Sequence, residues 1–317
     1  MTAALSLALF GVVTPARADD FPSRPIKMII PSAAGGTPDT LLRILAQEAA
    51  KTLGQSIVVE NKPGGSGIVG ISDVARAAPD GYTIGYANNV TLSINKSTFK
   101  ELPYDPDAFT PVAFLFKVPN ILAIRADSPI KDYNDLIQTL KSKKADVTYS
   151  SPGAGTSGHL TGELLALSAD VELTHVPYRG SPQAVTDVLG GQVDMIIDNS
   201  PTMLPHIRAG KLRPLVVASL DRLKELPQIP TISESGLPNF ESVAWGGLVA
   251  PAGTPPEVVK RLHSAFVDAL EKPEVRARFD DLAVIRVGGQ PADLMDYAKV
   301  ETEKWGKVVK QAGLEPK

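Results

Sequence analysis

The sequence contains no cysteine and only four histidines in 317 residues. Disulfides, a thiolate nucleophile and cysteine metal sites are thereby excluded. His159, His175, His206 and His263 form neither an H-E-x-x-H motif nor any paired spacing, so nothing points to zinc or to another cofactor. Aromatic residues are only 6% of the chain, few for a protein that stacks sugars or bases. The net charge is −3, whereas nucleic-acid binding needs a basic domain. No apolar run reaches the ~20 residues that span a bilayer. What is present is an ordinary globular balance, 43% apolar and 21% charged, which excludes disorder along the whole chain. The length suits two lobes.

The start of the chain reads as a targeting segment. Ala3 to Val13 carry no charge, and Ala16-Arg17-Ala18 fits the small-x-small rule of signal peptidase. No Lys or Arg precedes the apolar run. Residues 1–18 are expected to be a signal peptide. The remainder is expected to be soluble and free in the periplasm, since a lipoprotein anchor would require cysteine.

Apolar patterning gives an α/β order. Residues 26–30, 56–60 and 82–86 read as strands, separated by a helix with apolar positions Leu41, Leu42, Ile44, Leu45 and Ala49 and by a second helix at 66–77. Thr37 is expected to cap the first helix, with Pro38 at its first position. A second series follows: a helix over 129–143, strands at 147–150, 173–176, 193–197 and 215–218, a Gly/Ser turn at 151–158 before a helix through Leu167, and a helix at 181–190. Residues 246–250 read as a strand returning to the first unit, before helices at 255–270 and 291–311. This pattern predicts two lobes, 19–122 with 248–317 and 123–247, joined by hinge strands near 121–124 and 247–250.

Gly65-Ser66-Gly67-Ile68-Val69-Gly70 matches G-x-G-x-x-G. Four residues separate it from the preceding strand, and no acid closes the next one at Asn88-Asn89, so a tight loop feeding a helix explains it better than a dinucleotide site. Ser157 lies two residues before His159, but no G-x-S-x-G elbow surrounds it. His159 reads as a hydrogen-bonding residue beside a helix start.

Two loops are more informative. Gly35-Gly36-Thr37-Pro38-Asp39 and Gly153-Ala154-Gly155-Thr156-Ser157 each follow a strand and open a helix. A helix N-terminus offers unpaired N–H groups and about half a positive charge, which suits a carboxylate or phosphate. Two such ends facing one cleft would clamp an anion; ordinary turns are the alternative. Arg179-Gly180 places a cation and a flexible turn after another strand. Asp198-Asn199 stand at a strand's C-terminal end, where α/β clefts bind ligands. Asp194, at the other end of that strand, reads as structural.

At these residues the chain resembles the Bug family, periplasmic receptors of tripartite tricarboxylate transporters. The resemblance rests on Pro22-Ser23-Arg24-Pro25, the loop from Pro31 to Asp39, Val59-Glu60-Asn61-Lys62-Pro63-Gly64 and Ala78-Pro79-Asp80-Gly81-Tyr82. It continues through Gly158-His159-Leu160-Thr161-Gly162-Glu163, His175-Val176-Pro177-Tyr178-Arg179-Gly180, Gly190-Gly191-Gln192-Val193-Asp194, Ala209-Gly210-Lys211-Leu212-Arg213 and two later motifs, 230–238 and 248–255.

The resemblance implies a two-lobed Venus-flytrap binding protein, each lobe a mixed sheet flanked by helices. It implies no enzyme and no cofactor. The expected function is capture of a small organic carboxylate, mono- or dicarboxylate and aromatic acids included, by a monomer that delivers it to membrane subunits of the transporter. The expected ligand-binding residues are Ser32, Gly35, Gly36, Thr37 and Asp39; Asn88; Ser151, Gly155, Thr156, Ser157 and His159; and Arg179, Gly180, Asp198 and Asn199. Asp39 is expected to seat its loop rather than meet the ligand as a bare charge. One departure stands out: the family often carries a bulky aromatic after the first strand's proline, where this chain has Ser32 and Ala33, a change that would enlarge the pocket. A hydrolase on a related acid or ester, and a receptor serving a signalling partner, are the alternatives.

Overall fold

A computed structural model describes residues 21–142 and 146–316. The expected signal peptide, 1–18, lies outside the described residues.

The chain begins β1 (Ile26–Ile30), α1 (Thr37–Leu53), β2 (Ile57–Asn61), α2 (Ile68–Ala75) and β3 (Thr83–Asn88), followed by a π-type turn Val90–Ile94 and the short α3 (Asn95–Thr98). β1 lies parallel between β2 and β3. A central parallel strand is covered on both faces, which is why Met28, Ile29 and Ile30 are apolar in succession rather than alternating, with only Lys27 exposed. Met28 and Ile30 pack toward α1, while Ile29 packs toward α2.

The strand that organises the molecule is β4 (Thr110–Arg125), 16 residues long. Its first half, to Pro119, pairs antiparallel with β9 (Val243–Ala250), which also pairs with β3. Its second half, from Asn120, pairs with β7 (Met195–Asn199) and β8 (Leu212–Val217). One strand thus runs through two sheets. The partner changes between Pro119 and Asn120, and β9 enters the first sheet at Val243. Residues 121–124 accordingly lie wholly in the second sheet and 247–250 wholly in the first.

The second sheet is completed by β5 (Thr148–Ser151) and β6 (Thr174–Pro177), parallel to each other, with β5 parallel to β7. Its helices are α4 (Tyr133–Lys141), α5 (Ser157–Ala169), α6 (Ser181–Leu189) and α7 (Ser200–Arg208). α4 and α5 cover one face and α6 and α7 the other. The chain ends with α8 (Pro256–Leu270), α9 (Pro273–Asp281), β10 (Ile285–Gly289) and α10 (Pro291–Gln311) around the first sheet. Each lobe is therefore a mixed sheet between helical layers, as expected from the order of elements.

Several details differ from the sequence reading. α1 is capped by Gly36, with Thr37 and Pro38 as its first two residues, because Gly36 holds the extended conformation and Thr37 is already helical. α4 starts at Tyr133 rather than 129, since the Asp132 side chain caps it by accepting the Asp135 N–H. Of β4 only a short strand near 121–124 was anticipated, and α7, α9 and β10 were not. Pro119 reads as a strand breaker, yet it stands where the partner of β4 changes.

Candidate functional site

The loop between β1 and α1 is held from within. Gly35 has φ +77°, a left-handed value that favours glycine. Its N–H donates to Asp39 Oδ2 at 2.9 Å, and Arg43 Nε donates to Asp39 Oδ1 at 2.8 Å. Both carboxylate oxygens are thus engaged by their own loop and helix, as the sequence reading expected. Asn61 fixes the other flank, donating from Nδ2 to the Ser32 carbonyl at 3.2 Å. Ser32 Oγ is buried and has no hydrogen-bond partner among the described residues. No side chain caps the N-terminus of α1.

Asn88 closes β3, where its Oδ1 accepts the N–H groups of Val90 and Thr91 at 3.1 Å each. Its neighbour Asn89, which the sequence reading passed over, is buried with Nδ2 unpartnered among the described residues. The tandem Asn-Asn was the available signal: one residue builds the turn, and the other amide is left over.

In the second lobe, the loop after β5 also holds itself. Ser151 Oγ accepts the Gly153 N–H at 3.2 Å and lies 2.7 Å from His175 Nε2. Thr156 caps α5, its Oγ1 facing the His159 N–H, and donates to the Gly153 carbonyl at 2.7 Å. The Gly155 N–H donates to His159 Nδ1 at 3.0 Å. On the other side of the ring, Nε2 lies 3.4 Å from Glu163 Oε1. The His159 and His175 rings stack with centroids 4.0 Å apart. Burial, then the neighbouring His159, pushes His175 down to about 3. Burial raises the Glu163 carboxyl, but the hydrogen bonds from His159 and Tyr149 outweigh it and hold it below its usual value.

Ser157 and Asn199 converge on a residue the sequence reading missed. Asn120, fully buried at the point where β4 changes sheets, accepts from Ser157 Oγ at 3.3 Å and from Asn199 Nδ2 at 2.8 Å through Oδ1. Its Nδ2 donates to Thr161 Oγ1 and to the Ser242 carbonyl, both at 3.0 Å. Ser242 directly precedes β9, so one amide ties both chain crossings to α5 and β7. Nothing in an isolated Val-Pro-Asn-Ile segment marks that role.

The two lobes meet along three helix ends. Thr37 Oγ1, in the first turn of α1, lies 3.0 Å from Thr202 Oγ1 in the first turn of α7. A Cβ placed on Gly36 would lie 3.8 Å from Ser181 Oγ, at the start of α6. Gly180, which caps α6 at φ +131°, approaches Ala33 so closely that a Cβ there would come within 2.9 Å of the Ala33 Cβ. Like α1, neither α6 nor α7 has a side-chain cap. The N-terminus of α1 therefore faces those of α6 and α7. The capped loop 153–156 meets the first lobe through Ser66, whose Oγ donates to the Ala154 carbonyl at 3.1 Å. Arg179 is exposed beside this junction. Asp194 accepts from Thr148 N and Oγ1 at the far end of β7, a structural role.

Asp198 lies inside the junction. It is 1% exposed, between Ser181 and the Asn199 N–H that donates to its Oδ1 at 2.7 Å. Its Oδ2 has no hydrogen-bond partner among the described residues. Burial raises its carboxyl to about 6, against the opposing pull of Ser181 and the Asn199 N–H.

The serines and histidines of this region are not arranged as a nucleophile and its base. Ser157 is bonded to Asn120, and His159 faces Gly155 and Glu163 instead of Ser157. Ser151 does touch His175, but the serine is fully buried and a ring held near about 3 is a weak base at neutral pH. Among the described residues no acidic or histidine cluster is arranged to hold a metal.

Residues 41–314 match the family described as "Tripartite tricarboxylate transporter family receptor". The solved periplasmic binding protein BugD is 35% identical, covers 94% of this chain and 100% of its own, and superposes with a TM-score of 0.88. Rpa4515 of R. palustris, solved with adipate, is 34% identical over 94% of this chain and 100% of its own, with a TM-score of 0.90. MatC of Rhodopseudomonas palustris, solved with bound malate, is 35% identical over 91% of this chain and 100% of its own, with a TM-score of 0.84. The chain thus belongs to the tripartite tricarboxylate transporter receptor family, in which its Bug-like motifs had grouped it.

Proposed function

We propose that this protein is a periplasmic receptor that closes its two lobes over a small organic carboxylate and delivers it to the membrane subunits of a tripartite transporter. The observation that carries this reading is the meeting of three uncapped helix N-termini, those of α1, α6 and α7, at the lobe junction. Their free N–H groups and positive dipole ends attract an anion from both lobes at once. The adipate and malate bound by the two relatives support a carboxylate as that anion. The absence of a helix long and apolar enough to cross a membrane among the described residues fits a receptor that needs separate membrane subunits.

The moving lobes in this reading are the two sheets with their helices. They pivot at Val118–Asn120 and at Ser242–Val243, the segments where chain passes between sheets. The ligand contacts are the first-turn N–H groups and hydroxyls of α1, α6 and α7, with Ser32, Asn89 and Asp198 as side chains still free to bond. The protein acts as a monomer, with its amino-terminal segment removed on export.

A thermal-shift screen over aliphatic dicarboxylates, aromatic carboxylates and amino acids tests the reading. A ligand at 100 times its Kd adds about 2.7 kcal/mol of stability. Small-angle scattering with that ligand should show a smaller radius of gyration. Absence of any stabilising acid, or turnover of an ester by the purified protein, would reject the receptor.

A further inference from the structure

Asp198 is the one carboxylate inside the lobe junction whose second oxygen is left without a partner among the described residues. The elements around it bring hydroxyls and N–H groups rather than cations. α6 presents Ser181, α7 follows from Asn199, and β4 sets Ile121 opposite it. The charged groups on those elements are turned to other tasks: on β4, Lys117 lies over the Tyr297 ring and Arg125 pairs with Asp127. Asp39 on α1 is paired with Arg43, and Asp187 on α6 accepts from Tyr178. Arg208, in the last turn of α7, pairs with Asp281, and His206 lies in that same turn, at the end of the helix away from the junction. Arg179 precedes α6 but is exposed to solvent. An ionised Asp198 would face an incoming carboxylate without a neutralising cation, and two carboxylates in contact repel.

We infer that Asp198 is a specificity-determining ligand contact that binds in its protonated form, so that closure on a dicarboxylate takes up one proton from the solvent at Asp198. The inference rests on the carboxylate reading above. The new bond is O–H at the free oxygen; the proton comes from the buffer acid, whose conjugate base is left behind. The neutral carboxyl then donates a charge-assisted hydrogen bond to a ligand oxygen, turning the repulsive contact into an attractive one. Burial already holds this group well above the usual aspartate range before any ligand enters.

The test is calorimetric titration of the full protein with adipate and with malate, at pH values from 6.5 to 8, in buffers of different ionisation enthalpy. The slope of observed heat against buffer ionisation enthalpy counts the protons taken up. The expected result is an uptake approaching one proton near neutral pH, with affinity rising toward tenfold for each unit the pH falls, the limit for one linked proton. In Asp198→Asn the uptake and the pH slope should both vanish; Asp198→Ser serves if the amide variant does not fold.

Tight binding by the wild type with no proton uptake would overturn the inference and leave the receptor reading intact. It would mean that Asp198 stays ionised and accepts from a ligand hydroxyl or ammonium group. Uptake that persists in the variants would also overturn it, by moving the proton elsewhere. Failure of both acids to bind at any pH would overturn the inference for dicarboxylates and leave the carboxylate reading to the wider acid screen.

Discussion

Thr37 and Thr202 touch hydroxyl to hydroxyl at 3.0 Å, joining the first turn of a helix in one lobe to the first turn of a helix in the other. The pair can form only when the lobes are together, so it contributes to the closed state alone. Removing it with Thr202→Val should cost about 0.5–1.5 kcal/mol, the net worth of one such bond. That corresponds to a loss of roughly two- to tenfold in ligand affinity. Equilibrium titration checks the loss, and scattering checks closure. Unaltered affinity would show that this contact plays no part in closing.

In the proposed receptor Asp39 would act one step back from the ligand. Its two oxygens fix the Gly35 N–H and the Arg43 guanidinium, and so set the shape of the loop that presents the α1 N-terminus. Asp39→Asn keeps one acceptor but loses the charged pair with Arg43. An expected weakening of about 1–2 kcal/mol follows from losing a charge-assisted bond at a half-buried site. Arg43→Ala should weaken binding in the same direction, because it releases the same carboxylate. A strong rise in affinity for Asp39→Asn would instead mean that the carboxylate opposes the ligand directly.

Much of this could be read from the sequence because each early element carries its own signal. The apolar run of β1, the glycine turn after it and Pro38 in the first turn of α1 are local features, and so are their counterparts around α5. The clamp partner of α1 was not local. The sequence singles out the loop at 153–157 by its glycines, whereas the α1 N-terminus meets α6 and α7, whose starts at Ser181 and Ser200 look like ordinary serine-proline turns. Asn120 was invisible for a related reason. Its four hydrogen bonds reach Ser157, Thr161, Asn199 and Ser242, residues 37 to 122 positions away.

Two buried groups give opposite responses to acid. His175 is held near about 3 when folded but titrates near 6.5 in an unfolded chain, so the unfolded state binds the proton first. Stability therefore falls as the pH drops from about 6.5 toward 3. The slope cannot exceed about 1.4 kcal/mol per pH unit, because only one proton is linked. Asp198, raised from 3.8 to about 6, works the other way: the folded state keeps a proton that the unfolded chain gives up. Its contribution is gained on acidification through about 6 and lost as the pH rises. Melting temperatures from pH 4 to 8 should fall less steeply on the acid side in His175→Asn than in the wild type, and more steeply in Asp198→Asn. Identical profiles for all three proteins would show that neither group titrates as its surroundings dictate.

Ser32 sets the last expectation, the size of the ligand. The position follows Pro31 and precedes Ala33, which meets Gly180 across the lobes; by the family resemblance, a bulky aromatic often stands here. Phe114, Phe116 and Trp245, which could otherwise have filled such a space, are committed to the core of the first lobe. Phe116 stacks on Tyr86, Phe114 packs against Trp245 and Tyr297, and the Trp245 indole donates to Glu301 at 3.0 Å. A Phe side chain buries about 150–250 Å², so a serine in its place is a large change in available volume. Ser32 Oγ is also left without a bond among the described residues, and so is available to a ligand oxygen. Ser32→Phe should therefore discriminate by size. Wide or aromatic acids should lose about 1–3 kcal/mol of affinity, the cost of overpacking a closed site, while succinate-sized acids lose less. Paired titrations of the variant with a four-carbon diacid and an aromatic acid decide the matter. Equal losses for both would mean that position 32 leaves ligand size to other residues.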